Sequence, residues 1–130
     1  MSESGATSVL LSVDMKKNRI RIHKATLHKL GDPPYVQLLV NPTTMNVALK
    51  SVYRSSSKDQ THRISRKKLE SSNSIEIYSK SFIDKLNDLI PDLNEGCCYH
   101  MTGSIVSSEK MAVFSLKSIR QFEEGDAVCQ

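Results

Sequence analysis

The residues in this chain best placed to do chemistry are cations. Met15 to Gly31, MKKNRIRIHKATLHKLG, holds six Lys or Arg (Lys16, Lys17, Arg19, Arg21, Lys24, Lys29), two His and no Asp or Glu. Lysine and arginine neutralise phosphates and release counterions, which supplies most of the sequence-independent affinity for nucleic acid. Arginines borne on a strand can also reach guanine edges in a major groove. Arg19, Arg21, Lys24, His28 and Lys29 are therefore candidates for one contiguous nucleic-acid face. A second basic segment, with Lys58, Arg63, Arg66, Lys67 and Lys68, would extend that face or serve as an arm; Arg63, Arg66 and Lys67 join the candidate set. The competing interpretation of each patch is a solvated face that only keeps the protein soluble.

Other chemistries have less in their favour. The chain has no G-x-S-x-G, P-loop, G-x-G-x-x-G or H-E-x-x-H. Cys98 and His100 would share a strand face as a nucleophile and base, but nothing supplies an orienting third group or an oxyanion hole. Of His23, His28, His62 and His100, only the first two are close in sequence, and a spacing of five aligns poorly on a helix. The acids do not follow a calcium-loop pattern. Three cysteines (Cys97, Cys98, Cys129) without a C-x-x-C form neither a disulfide framework nor a zinc site. The expectation is a non-enzymatic protein with no cofactor and no metal. Aromatics are 5% of residues and Trp is absent, which argues against a stacking platform for single strands.

The elements that must carry the cations follow from the apolar pattern. The 130 residues are 38% hydrophobic and 25% charged, enough for one domain or two small fused halves. No apolar run approaches the roughly 18–20 residues that span a bilayer, and the start, MSESGATSVLLSV, lacks a basic n-region, so a cytoplasmic protein is expected. Residues 1–68 hold 13 Lys/Arg and 4 Asp/Glu, whereas 69–130 hold 5 and 10. Such asymmetry suits one face for an anionic partner, or two halves that attract each other.

Residues 1–7 are expected to be disordered. Strands are expected at 8–13, 19–23, 35–40 and 45–52, with a short helix over 25–30 that Gly31 ends in a left-handed conformation. A Ser-rich linker spans 53–59. Gln60 to Leu69 alternates weakly and is assigned to an exposed or edge strand, followed by a turn over 70–74. Ile75 and Ile77 mark the next strand. A helix begins at Ser81, with Asp84 completing a variant capping box, and ends near Ile90 before Pro91. Strands at 97–106, weakened at Gly103, and 111–119 close the pattern, and an acidic tail occupies 120–130.

The halves 8–52 and 60–119 resemble one repeat. Ile20 and Ile22 match Ile75 and Ile77 at an offset of 55, as Leu27 matches Phe82; Leu30 matches Leu86 with one residue inserted. Each half reads strand, strand, helix, strand, strand, giving an α+β unit with a pseudo-two-fold in which the basic half binds and the acidic half supports. At these positions Arg21 corresponds to Glu76, so the charge is not repeated.

NRIRIHKATLHKLG, followed by YVQLLVN and MNVALKSV, resembles the AbrB/MraZ group of swapped-hairpin DNA-binding regulators. Arg19 stands at the group's strand arginine, Ile20 and Ile22 at its two strand hydrophobics, Leu30-Gly31 at its L-G, and His28 where a helix arginine is common. His23 stands in place of the group's proline, Asn18 in place of its glycine, and the D-x-x-x-R of MraZ is absent. The resemblance implies a small bacterial or phage transcription regulator that binds double-stranded DNA, built as a tandem pair or a homodimer. A domain of a sliding clamp, also made of two strand–helix–strands repeats, is the rival architecture. The rival function is a protein-interaction or accessory module that engages a partner through the acidic half.

Overall fold

The computed structural model describes residues 8–54 and 61–121. The N-terminal segment 1–7, most of the Ser-rich linker and the tail beyond Gln121 lie outside the described residues. In chain order the elements are β1 (Ser8–Asp14), β2 (Arg19–His23), α1 (Lys24–Lys29), β3 (Tyr35–Asn41), β4 (Asn46–Val52), β5 (Thr61–Arg63), α2 (Arg66–Ser71), β6 (Ser74–Tyr78), α3 (Lys80–Leu89), β7 (Cys98–Val106), β8 (Met111–Ser115) and β9 (Arg120–Gln121). The chain is α+β. Its strands form one sheet in the order β5-β3-β4-β8-β7-β1-β2-β6, with β9 against β7, and every pairing is antiparallel.

The period of two decides which side of the sheet is dry. Ile20, Ile22, Val47 and Leu49 have no exposed surface, and Leu11, Met101 and Phe114 join them on the same face. Arg19, Arg21 and His23 alternate with those isoleucines and face the other way. The N-terminal and C-terminal parts of the chain do not form separate sheets: β1 pairs with β7, β2 with β6, β3 with β5 and β4 with β8. Gly103 stands where β7 meets both β1 and β8. A Cβ there would overlap the carbonyl oxygen of Val113 and the backbone and ring of Phe114, so the position that reads as a weak strand residue is a requirement of close packing.

The helices pack on the sheet through few side chains. In α1, Thr26 and Leu27 are buried, and the Leu30 N–H donates to Thr26 and Leu27 before Gly31 leaves with φ +90°. In α3, Phe82, Ile83 and Leu86 are buried. Its cap is not Ser81 but Ser79, whose Oγ accepts from the Phe82 N–H, so the helix starts two residues earlier than the capping-box pattern implies.

Two further expectations are corrected. Gln60 to Leu69 is not one strand: β5 spans only three residues, and Arg66–Ser71 is helical, so Glu70 and Ser71 belong to a helix and not to a turn. Ser65 caps α2 by accepting from the Lys68 N–H at 3.3 Å. Ile64 before the cap and Leu69 on the fourth helical position are both buried, the placement of a hydrophobic staple. A buried pair five residues apart marks the entry of a helix, where a strand would bury every second residue. The last strand also stops early. At Ser115 a side-chain turn intervenes, with the Lys117 N–H donating to Ser115 Oγ and Ser118 Oγ to the Ser115 carbonyl, and Arg120–Gln121 rejoins the sheet as β9.

Candidate nucleic-acid interface

The two basic segments, separated by 26 residues of sequence, meet through α1 and α2. The Lys24 N–H at the start of α1 donates to the Asn73 carbonyl just after α2, at 2.7 Å. At the opposite end, Arg66 Nη2 at the start of α2 donates to the Asp32 carbonyl just after α1, at 3.0 Å. The Ile64 N–H donates to the Pro34 carbonyl at 2.8 Å. The start of each helix is thus tied to the residues just after the other, so the two run antiparallel. Buried Leu27 and Leu69 anchor them, and their polar faces look outward.

That surface carries most of the candidate cations. Lys24, His28 and Lys29 on α1, Arg66 and Lys67 on α2, and Arg63 at the end of β5 are all exposed. No described carboxylate is within ion-pairing reach of Lys24, Lys29, Arg63, Arg66 or Lys67. His28 Nδ1 lies 3.1 Å from Asp32 Oδ2, so this histidine shares the surface with one acid. An open cleft of about 630 Å³ beside the helices is lined by His23, Lys24, Ala25, His28, Asp32 and Asn73.

The strand arginines are placed differently. Asp14 is 5% exposed at the end of β1. Its Oδ1 accepts from the Lys16 and Lys17 N–H groups at 3.0 and 3.2 Å, and its Oδ2 from Arg19 Nη2 at 3.0 Å. Glu76, across from Arg21 on β6, accepts from Arg21 Nη2 at 2.8 Å through Oε2, which is also 3.8 Å from Arg19 Nη1. Burial disfavours the Arg19 charge, but Glu76 and Asp14 outweigh it and the pKa is raised. The Arg21 hydrogen bond, supported by the charges of Arg19, Arg21 and Lys68, holds the Glu76 carboxyl below its ordinary range despite partial desolvation. Arg19 and Arg21 therefore face away from the core, as their alternation requires, but two carboxylates already occupy them.

Asp14, Glu76 and the whole of α2 were missed by motif reasoning. A signal for Glu76 did exist: the offset of 55 that aligns the isoleucine pairs also aligns Arg21 with Glu76, and those two residues are cross-strand partners. Cys98 and His100 do share a sheet face on β7, with Cys98 buried. Among the described residues, no group of three or more His, Cys, Asp or Glu is arranged to hold a metal ion. No described helix is long and apolar enough to cross a membrane. No protein-family model, curated protein or solved structure matches the chain.

Proposed function

We propose that this chain is a non-enzymatic, cytoplasmic protein that binds double-stranded DNA through the paired helices α1 and α2, and that it serves as a small bacterial or phage transcription regulator of the AbrB/MraZ type. The observation that carries the reading is the convergence of two basic segments on one surface, where Lys24, Lys29, Arg63, Arg66 and Lys67 have no described carboxylate to neutralise them. Exposed cations release counterions when a duplex docks. In this reading the contact lies on the helix pair, and the strand arginines Arg19 and Arg21 stiffen the sheet beneath it.

The swapped-hairpin architecture is part of the same proposal. β2 and β6 pair about Arg21 and Glu76, which are 55 residues apart. β4 and β8 pair about Ala48 and Val113, which are 65 apart; Met45 and Lys110, the positive-φ residues that end the two hairpin turns, are separated by the same interval. The pairing of β1 with β7 is matched by that of β5 with β3. These registers are what an intertwined duplication produces, with the offset growing because α3 is longer than α1.

Fluorescence anisotropy of a random labelled duplex at about 50 and about 200 mM salt tests the function. Binding at the lower concentration that collapses at the higher is expected; no binding at the lower sinks the reading. One observation favours the interaction module instead. Leu39, Ala48, Met111 and Val113 line an open apolar cleft of about 530 Å³ on the hairpins, a surface suited to a protein partner or a second copy. A pull-down is the corresponding test.

A further inference from the structure

We propose that Arg19 and Arg21 form a second oxyanion site, which the Glu76 carboxylate closes from within. The choice of a phosphodiester as its ligand rests on the nucleic-acid reading above; the site itself does not.

Both guanidiniums converge on one atom, Glu76 Oε2, at 2.8 Å from Arg21 Nη2 and 3.8 Å from Arg19 Nη1. Asp14 pins Arg19 from the other side, so its guanidinium is held in place before any ligand arrives. The carboxylate leaves a donor unused. Arg21 Nε is buried and has no hydrogen-bond partner among the described residues. A guanidinium presents Nε and Nη as a fork, and a tetrahedral oxyanion can take both donors while keeping oxygens for a second arginine. Glu76, bonded through a single oxygen to Nη2, does not engage the fork.

Room for the carboxylate lies beside it. Glu76 and Arg21 keep about one third of their side-chain surface exposed. An open groove of about 270 Å³ runs between α2 and the edge strand β6, lined by Lys68, Ser71, Ser72, Ser74, Glu76 and Tyr78. Apart from Glu76 itself, its polar lining is one ammonium and hydroxyls. The groove borders Glu76, not the arginines, and gives the carboxylate a place to swing away and uncover them, with Lys68 already contributing to the positive field at Glu76. In the resting protein the site is closed, and the helix pair carries the exposed charge.

Chemical rescue tests this. Thermal unfolding of the wild type, Glu76→Ala and Glu76→Gln is compared in about 50 mM inorganic phosphate and in chloride of equal ionic strength. Phosphate is expected to raise the Tm of Glu76→Ala by about 3–5 °C and that of the wild type by about 1 °C at most. The double variant Glu76→Ala/Arg21→Gln should lose the rise. Glu76→Gln keeps the shape of the native side chain and gives the same sign if the alanine variant does not fold. Equal rises in wild type and variants, or a rise that survives loss of Arg21, would overturn the site. Duplex anisotropy on the same proteins separates the two claims. Tighter duplex binding by Glu76→Gln than by a remote control, Glu109→Gln, supports a phosphodiester ligand. Phosphate rescue without that gain overturns the phosphodiester and leaves the oxyanion site standing.

Discussion

Replacing Asp14 by alanine removes a carboxylate that serves three donors at once. The Lys16 and Lys17 N–H groups lose their acceptor, and Arg19, whose side chain is 16% exposed, is left with Glu76 at 3.8 Å as its remaining described carboxylate. Each backbone hydrogen bond to a charged acceptor contributes about 1 kcal/mol net where water can partly substitute, and the close guanidinium pair about as much again, so the total loss is about 3 kcal/mol. For a two-state domain of this size that lowers Tm by roughly 10 °C. Asp14→Asn separates the contributions. Its side-chain oxygen can still accept from both N–H groups, but the charge facing Arg19 is gone, so about 1 kcal/mol should be lost. Urea unfolding of the three proteins measures both differences. If Asp14→Ala unfolds within 1 kcal/mol of the wild type, or if the asparagine variant is as stable as the wild type, the assignment of Arg19 to the scaffold is wrong.

Further outcomes are expected from the fold. Gly103→Ala should cost about 2–3 kcal/mol in urea unfolding, because the overlap is with backbone and ring atoms of β8 that cannot turn aside. Ser65→Ala should cost about 1 kcal/mol and lower helical circular dichroism slightly, through loss of the α2 cap. His62, half-buried on β5 with Nε2 lacking a described partner, has its pKa lowered by burial. The unfolded chain therefore binds more protons at this site, and its contribution to stability is present above about pH 6.5 and lost as pH falls through the depressed native value. Urea midpoints at pH 7.5 and 5.0 should differ less in His62→Leu than in the wild type. Glu76, whose pKa is lowered chiefly by the Arg21 hydrogen bond, loses its contribution only below about pH 4.5 and does not enter that window.

Much of the strand pattern was legible because each strand buries one face. Arg19–His23 reads directly as RIRIH, and Val47 and Leu49 declare the buried side of β4. The turn at Gly31 was equally open to reading, since glycine is the local signature of a left-handed φ; Met45, expected at the start of a strand, instead closes the turn that Asn41 caps, with φ 58°, and carries no such signature. α2 was not legible by period. A six-residue helix with one buried residue shows no repeat, and only its cap and the Ile64–Leu69 pair mark it. The candidate site was half legible. Composition picked out the cations of both basic segments, but which of them are neutralised depends on Asp14 and Glu76, brought in by β1 and β6. The meeting of α1 with α2 depends on contacts between residues as far apart as Lys24 and Asn73, which no local pattern encodes.

The salt dependence of duplex binding, measured for the wild type, Lys24→Gln/Lys67→Gln and Arg21→Gln, tests the central claim most directly. Five unneutralised cations, four on the helix pair and Arg63 at the end of β5, predict a slope of log affinity on log salt of about −4.5, roughly a 500-fold loss between 50 and 200 mM. Removing two of them should reduce the slope to about −2.7 and the loss to roughly 40-fold, whereas Arg21→Gln, its partner carboxylate left in place, should leave the slope unchanged. A wild-type protein that does not bind at 50 mM, or a slope that ignores Lys24 and Lys67, would contradict a duplex interface on α1 and α2.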